Sequence, residues 1–188
     1  MINALSFDIL LIGGDLYDAS SFNPDDLSPF KTVNSSIYFV TGNHEYYVKN
    51  HAGKLEALSQ YGISTLDNEH IMLDEINLIG VSDNQHPSVQ HSHAASLVQE
   101  DRFNLLMVHQ PSIWCKVSDQ VDLMLSGHTH NGQIFPFNLL VRMQFKNVYG
   151  LYRDQDASLY VSSGSGTWGP RMRLGTQNEV IQIKLQAS

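Results

Sequence analysis

Val121-Asp-Leu-Met-Leu-Ser-Gly-His-Thr-His130 is the stretch whose reading decides the fold. Val121 to Leu125 spells a short buried strand, Ser126-Gly127 ends it, and two histidines follow at once. Residues two apart on an extended segment project to similar sides, so His128 and His130 can both reach one metal cluster. The arrangement recurs upstream. Asp8-Ile-Leu-Leu-Ile12 runs into Gly14-Asp15-Leu-Tyr-Asp18, and Ser36-Ile-Tyr-Phe-Val40 runs into Gly42-Asn43-His44-Glu45. Asn104-Leu-Leu-Met-Val108 runs straight into His109. Loops at the C-terminal ends of strands are where α/β proteins carry their sites, because rigid strands position what mobile loops present.

Each cluster has an ordinary reading when taken by itself. Gly14-Asp15 fits an Asx turn, and a lone His109 after a strand fits a buried histidine with satisfied hydrogen bonds. Taken together they read differently. Four strand ends deliver oxygen and imidazole donors, the set that a mixed N/O divalent site needs.

Outward from these motifs the chain is a series of short apolar runs. Asn77-Leu-Ile-Gly-Val81, Leu159-Tyr-Val161 and Val180-Ile-Gln-Ile-Lys-Leu185 add strands to those above. His51 to Tyr61 has helical spacing (Leu55, Leu58, Tyr61) and stops at Gly62. Gly132 to Tyr149 reads as a long surface loop. Many strands with few strong helices give a layered α/β (α+β) domain, and 188 residues suit a single one spanning 1–188. A chain of this length buries roughly 70% of its unfolded surface, so it needs no disulfide staples. The single cysteine excludes an internal disulfide and a cysteine-based zinc finger.

Charge narrows the function classes. Eleven Lys and Arg against nineteen Asp and Glu leave a net charge of -8, with the cations scattered, so there is no nucleic-acid footprint. An acidic protein that handles anionic substrates needs a local source of positive charge, and bound metal ions supply one. No run of about 18 apolar residues is present to span a membrane, and Met1 to Ser6 lacks the features of a signal peptide. Any anchor of a parent protein is therefore expected upstream of Met1.

Gly14-Asp15-x-x-Asp18, Gly42-Asn43-His44-Glu45, His109 and Gly127-His128-Thr129-His130 resemble motifs two to five of the calcineurin-like metallophosphoesterases. The stretch from Gly127 to Ile134, Gly150-Leu-Tyr152, Leu159 to Ser162, Gly169 and Glu179-Val-Ile181 extends the likeness to the YkuE/YaeI-type branch, which contains phosphodiesterases. The resemblance implies a four-layer αββα sandwich and a dinuclear site of divalent ions, with Mn, Fe, Zn or Ni all compatible with the donors. It implies that Asp15 bridges the ions, that Asn43, His109 and His128 complete one site, and that His130 serves the other. It places His44 beside the scissile phosphate as the catalytic group and gives Glu45 a supporting role. The implied substrates are small-molecule or lipid-linked phosphodiesters.

The family's first motif, a strand ending in Asp-x-His, has no counterpart ahead of Asp15. The expectation is an N-terminally incomplete domain, with one ion held tightly and an open sheet edge through which chains could associate. A non-catalytic metal-binding or scaffold domain is the alternative that this gap supports. Several other features compete for attention. Gly164-Ser-Gly-Thr-Trp-Gly169 has dinucleotide-loop spacing, but Pro170-Arg-Met-Arg-Leu-Gly175 after it is a poor helix. His86, His91 and His93 fall in a polar stretch that reads as a surface loop. Arg171 and Arg173 are candidates for contact with a substrate phosphate, to which forked guanidinium donors are suited.

Overall fold

The computed structural model describes residues 5–17 and 22–186, so Asp18 of the first motif lies outside the described residues. Two sheets carry the fold. Strands β1 (Ile9–Ile12), β2 (Ser36–Phe39) and β3 (Ile63–Thr65) form a parallel sheet in the order β1-β2-β3. The second sheet has six strands. These are β4 (Glu69–Leu73), β5 (Ile76–Val81), β6 (Phe103–Val108), β7 (Leu123–Ser126), β8 (Gly150–Asp154) and β9 (Ala157–Val161), in the order β4-β5-β6-β7-β9-β8. Its four central strands are parallel, while β4 and β8 run antiparallel at the two edges.

Period-two alternation explains how both sheets bury both faces. Leu105 and Met107 of β6, with Leu78 of β5 and Leu123 of β7, meet Tyr38, Ile9 and Leu11 of the smaller sheet in a core between the sheets. The alternate residues Ile79, Val81, Leu106, Val108, Met124 and Leu159 face the other way. They pack on α3 (Pro87–Leu97) through Ala94 and on α4 (Trp114–Val117) through Trp114 and Val117. On the far side of the small sheet, Leu10, Ile12, Ile37 and Phe39 pack against Leu55 of α2 (His51–Ala57) and against the 3-10 turns carrying Leu27, Leu58 and Tyr61. Three apolar cores separate four layers, the αββα sandwich that the motifs imply.

The differences from the sequence reading lie where local signals are weak. Val180 to Leu185 forms no strand; among the described residues no backbone ladder runs beside it, and its apolar side chains stay partly exposed. Alternation alone cannot make a strand without a neighbour to pair with. β3, β4 and β8 are short or polar, and their pairing is set by the sheet rather than by their own composition. The loop expected from Gly132 to Tyr149 contains α5 (Phe137–Gln144), and the His86–His93 region belongs to α3 with Pro87 at its first turn. The helix from His51 gives way to a 3-10 turn at Leu58 and ends at Gly62 with φ 77°, as its glycine suggests.

Leu106→Ala empties a fully buried position in the helix-facing core and should cost about 2–5 kcal/mol, whereas Leu139→Ala on exposed α5 should change stability by less than about 0.5 kcal/mol. Urea unfolding of the two variants checks this; similar losses in both would mean the cores are assigned wrongly.

Candidate metal centre

The motif turns gather at the C-terminal ends of β1, β2, β6 and β7, so neighbouring strands of both sheets aim at one place. After β1 the chain turns through Gly14 at φ 97° and Asp15 at φ 55°. After β2 it turns at Gly42, the N-cap of α1 (Asn43–Tyr47). A Cβ on Gly14 would collide with the His109 ring, and one on Gly42 would collide with the Asp15 carboxylate, so no side chain fits at either position.

Glu45 fastens these two turns together. It sits in the first turn of α1 yet is fully buried. Its carboxylate accepts hydrogen bonds from the backbone N–H groups of Asp15 (2.9 Å), Tyr17 (2.9 Å) and Gly42 (2.6 Å). Burial pushes its pKa above the ordinary carboxylate range, and these amide bonds oppose the shift.

The donors converge on this platform. Asp15 Oδ2 lies 3.1 Å from His109 Nε2, and His109 Nε2 lies 3.1 Å from His128 Nδ1. The ligand atoms of Asp15, His109 and His128 all fall within 4.8 Å of one another. His109 Nδ1 donates to the Gly13 carbonyl at 2.7 Å, which fixes the ring with Nε2 facing Asp15 and His128. Asn43, at the start of α1 on the neighbouring turn, offers a further oxygen. Its Oδ1 is buried and lacks a hydrogen-bond partner, although its Nδ2 donates to Tyr47 Oη at 3.3 Å. An orphaned buried carbonyl costs about 1–3 kcal/mol, and a cation is a fitting partner for it. Donors around a shared ion at about 2.1 Å stand roughly 3 Å apart, as the Asp15–His109 and His109–His128 pairs do. The residues therefore fit a divalent ion with a mixed N/O donor set.

Electrostatics prepares the site for a cation. Burial would raise the Asp15 carboxyl, but the hydrogen bond and charge of His109 outweigh that and hold it below its usual range. Burial works against charge on His109 too, yet its contact with Asp15 leaves its pKa raised. His128 is pushed down to about 4 by burial and by the charge of His109. His130 is pushed down to about 4 by burial and by the nearby Arg173 cation. Both rings are thus neutral near pH 7, the form that ligates. His128 at φ 68° and His130 at φ 50° occupy left-handed backbone, a strained conformation of the kind that clusters at ligand sites.

His130 stands apart from the tight group. Its carbonyl accepts from Arg173 Nη1 at 2.8 Å, and its Nδ1 lies 3.4 Å from Arg173 Nη2. Arg173 also donates to the carbonyls of Ser163 (2.6 Å) and Gly166 (2.7 Å) and to the Asn178 side chain. So engaged, Arg173 staples the His130 loop to the segment after β9. Arg171 is exposed. His86, His91 and His93 lie on or beside α3 and take no part in the cluster. No helix follows the Gly164–Gly169 loop.

One neighbour escaped the sequence reading. Asp83 follows β5 directly, as the other donors follow their strands, and that position was the signal for it. It is buried, accepts from Gln90 (3.2 Å) and Gln110 (2.9 Å), and burial raises its pKa. With Asn43, Tyr46, Tyr47 and Gln85 it lines an open cleft of about 480 Å³ beside the donors.

Comparison with known proteins agrees with this geometry. Residues 1–132 match the Calcineurin-like phosphoesterase family. The chain is 38% identical over 197 residues to an uncharacterized metallophosphoesterase of Helicobacter pylori, covering 98% of this chain and 52% of that protein. It is 32% identical to a bovine "transmembrane protein with metallophosphoesterase domain", covering 100% of this chain and 48% of that one. It is 31% identical to the uncharacterized metallophosphoesterase YkoQ of Bacillus subtilis, covering 92% of this chain and 70% of YkoQ. The chain therefore spans about half the length of the first two of these relatives.

The two lowered histidines set an acid limit. In metal-free protein His128 and His130 stay neutral to about pH 4, while in the unfolded chain they protonate near pH 6.5. Unfolding then takes up protons between those values, so stability falls as pH drops through this window, by on the order of 2 kcal/mol for each ring at pH 5. Raised His109 acts oppositely, but its contribution is lost only above pH 6.5, and the raised carboxyls of Glu45 and Asp83 offset part of the loss on the acid side. Urea midpoints in chelator should therefore be lower at pH 5 than at pH 6.5; a flat or inverted profile would contradict the burial of these rings.

Proposed function

This chain belongs to the calcineurin-like phosphoesterase family, and from that premise we propose that it carries the catalytic core of a metal-dependent phosphodiesterase. The convergence of the Asp15, His109 and His128 ligand atoms, with the orphaned Asn43 Oδ1 on the adjoining turn, is the observation that supports this reading most strongly. Asp15, Asn43, His109 and His128 would hold one divalent ion, and Asp15 with His130 would serve a second, weaker position. Mn, Fe, Zn and Ni all suit these donors. A bound ion supplies Lewis-acid polarisation of phosphoryl oxygens and makes water acidic enough to attack near neutral pH.

The chain's own residues do the rest. Asp15, with its pKa held down, stays ionised for a cation. Glu45 keeps the Asp15 turn in place, and Asp15 Oδ1 in turn accepts the His44 backbone N–H at 3.0 Å. His44 follows Asn43 in the first turn of α1, next to the turn that Glu45 holds. His44 is the group we assign to donate a proton to the leaving alcohol oxygen. A small-molecule or lipid-linked phosphodiester is the substrate class. The name of the bovine relative supports membrane association of a longer parent protein through an upstream segment. β1 is an outer strand of its sheet, and its edge is where a further strand or a second copy would pair.

A metal-binding domain without catalysis is the second reading, favoured by the separation of His130 from the tight donor group. Hydrolysis of bis-p-nitrophenyl phosphate separates the two. Turnover that requires added Mn²⁺ and disappears in chelator supports catalysis; Mn²⁺ binding with no turnover supports the second reading, and turnover in chelated protein contradicts both. Calorimetric titration should find about one tightly held ion. His128→Ala should weaken it at least a hundredfold, about 2.7 kcal/mol, while His130→Ala weakens it less. Equal losses would show that the two histidines are assigned wrongly.

A further inference from the structure

The surface around α5 reverses the usual order of a helix on a globular protein, which turns its apolar stripe inward. α5 turns Asn138 and Val141 toward the protein. Phe137, Leu139, Leu140 and Met143 point outward, each between 55% and 84% exposed. Phe137 and Leu140 are three apart and Leu139 and Met143 four apart, so they form one continuous stripe. Beside them the loop after β9 exposes Trp168 and Leu174.

The two segments are fastened into one surface. Phe135 N donates to the Leu174 carbonyl (3.0 Å), and Leu174 N donates to the Gln133 carbonyl (2.9 Å). The Gln133 amide holds Trp168 from both sides, donating to its carbonyl (2.6 Å) and accepting from its N–H (2.7 Å). Arg173 ties the same loop to the His130 carbonyl. This apolar surface and the ligand loop are therefore one structural unit.

Charge identifies the occupant. The chain carries 19 acidic residues and a net charge of -8, yet none of the acids falls within 123–153 or 157–178. Those stretches hold Arg142, Lys146, Arg153, Arg171 and Arg173. Arg142 on α5, Lys146 just beyond it and Arg171 in the Trp168 loop are exposed around the apolar stripe. Glu179, the next acid, is engaged by Ser162, Ser163 and Tyr149. Exposed Leu, Phe and Trp with cations on the same segments, on an otherwise acidic protein, match an anionic bilayer surface: the apolar side chains enter the acyl boundary, Trp sits at headgroup level, and Arg and Lys meet the phosphates.

We propose that this face seats on an anionic lipid surface with α5 lying in the interface plane. Seating there would bring the His130 loop to the headgroup layer. The contact is made by this chain's own surface, needs no membrane-spanning segment, and does not depend on catalytic turnover.

Co-sedimentation with vesicles tests it. Phosphatidylglycerol-rich vesicles should retain at least about tenfold more of the chain than phosphatidylcholine vesicles, and the difference should shrink between about 50 mM and about 500 mM NaCl. Leu139→Asp with Met143→Asp should lower binding to the anionic vesicles about tenfold. Arg142→Gln with Lys146→Gln should lower it too, with thermal midpoints and any bis-p-nitrophenyl phosphate turnover unchanged. All four positions are exposed, so the variants should fold. Absence of binding to anionic vesicles at low salt, equal binding by the variants, or a dimer that the Asp variant dissolves would each overturn the proposal, the last by assigning the face to a second copy of the chain.

Discussion

The site depends on one buried carboxylate. Glu45 is shut away from water, and its two oxygens take three backbone amides from two different turns. Desolvating a carboxylate is costly, and each charge-assisted bond returns about 1.5–3 kcal/mol. Three such bonds from otherwise orphaned amides make burial tolerable. They also leave the β1 and β2 turns little freedom to move independently. The turns that carry Asp15 and Asn43 are therefore held side by side, and Gly14 and Gly42 provide the room for it.

From that anchor the remaining order follows through the sheets. β1 and β2 are neighbours in one sheet, and β6 and β7 are neighbours in the other. The core between the sheets, built on Tyr38, Leu78, Met107 and Leu123, holds the two pairs face to face. His109 and His128 are brought across to Asp15 by that packing rather than by any local bond. The Gly13 carbonyl then orients His109, and Arg173 holds the His130 loop. A cluster of imidazoles beside an ionised carboxylate, with one carbonyl unpartnered, is an arrangement that a cation would complete.

Much of this was legible in the residues because strand periodicity and site chemistry coincide. The apolar runs ending in Asp15, Asn43, His109 and His128 gave the strands, and three of those residues, Asp15, His109 and His128, bring their ligand atoms together. Other features depend on contacts that no local stretch encodes. β4 and β8 are recruited as edges by β5 and β9, and Val180 to Leu185 has strand character with no ladder beside it among the described residues. α5 was hidden because its apolar residues point outward, against the pattern by which buried helices are read. Arg173 reads as a phosphate contact because guanidinium chemistry suits one; the structure adds its bonds to the carbonyls of His130, Ser163 and Gly166, which no local stretch encodes. Asp83 sat at a strand end in plain view, and the same rule that found the donors would have found it.

As we propose, Asp15, Asn43, His109 and His128 would surround one divalent ion. A crystal structure of the Mn²⁺-loaded protein, with data collected for the anomalous signal of manganese, tests that claim most directly. The account predicts the strongest anomalous peak within roughly 2.0–2.3 Å of donors from all four residues, with Asn43 Oδ1 among them. A strongest peak elsewhere, for example beside His91 and His93 on α3, or one that leaves Asn43 Oδ1 unliganded, would contradict it.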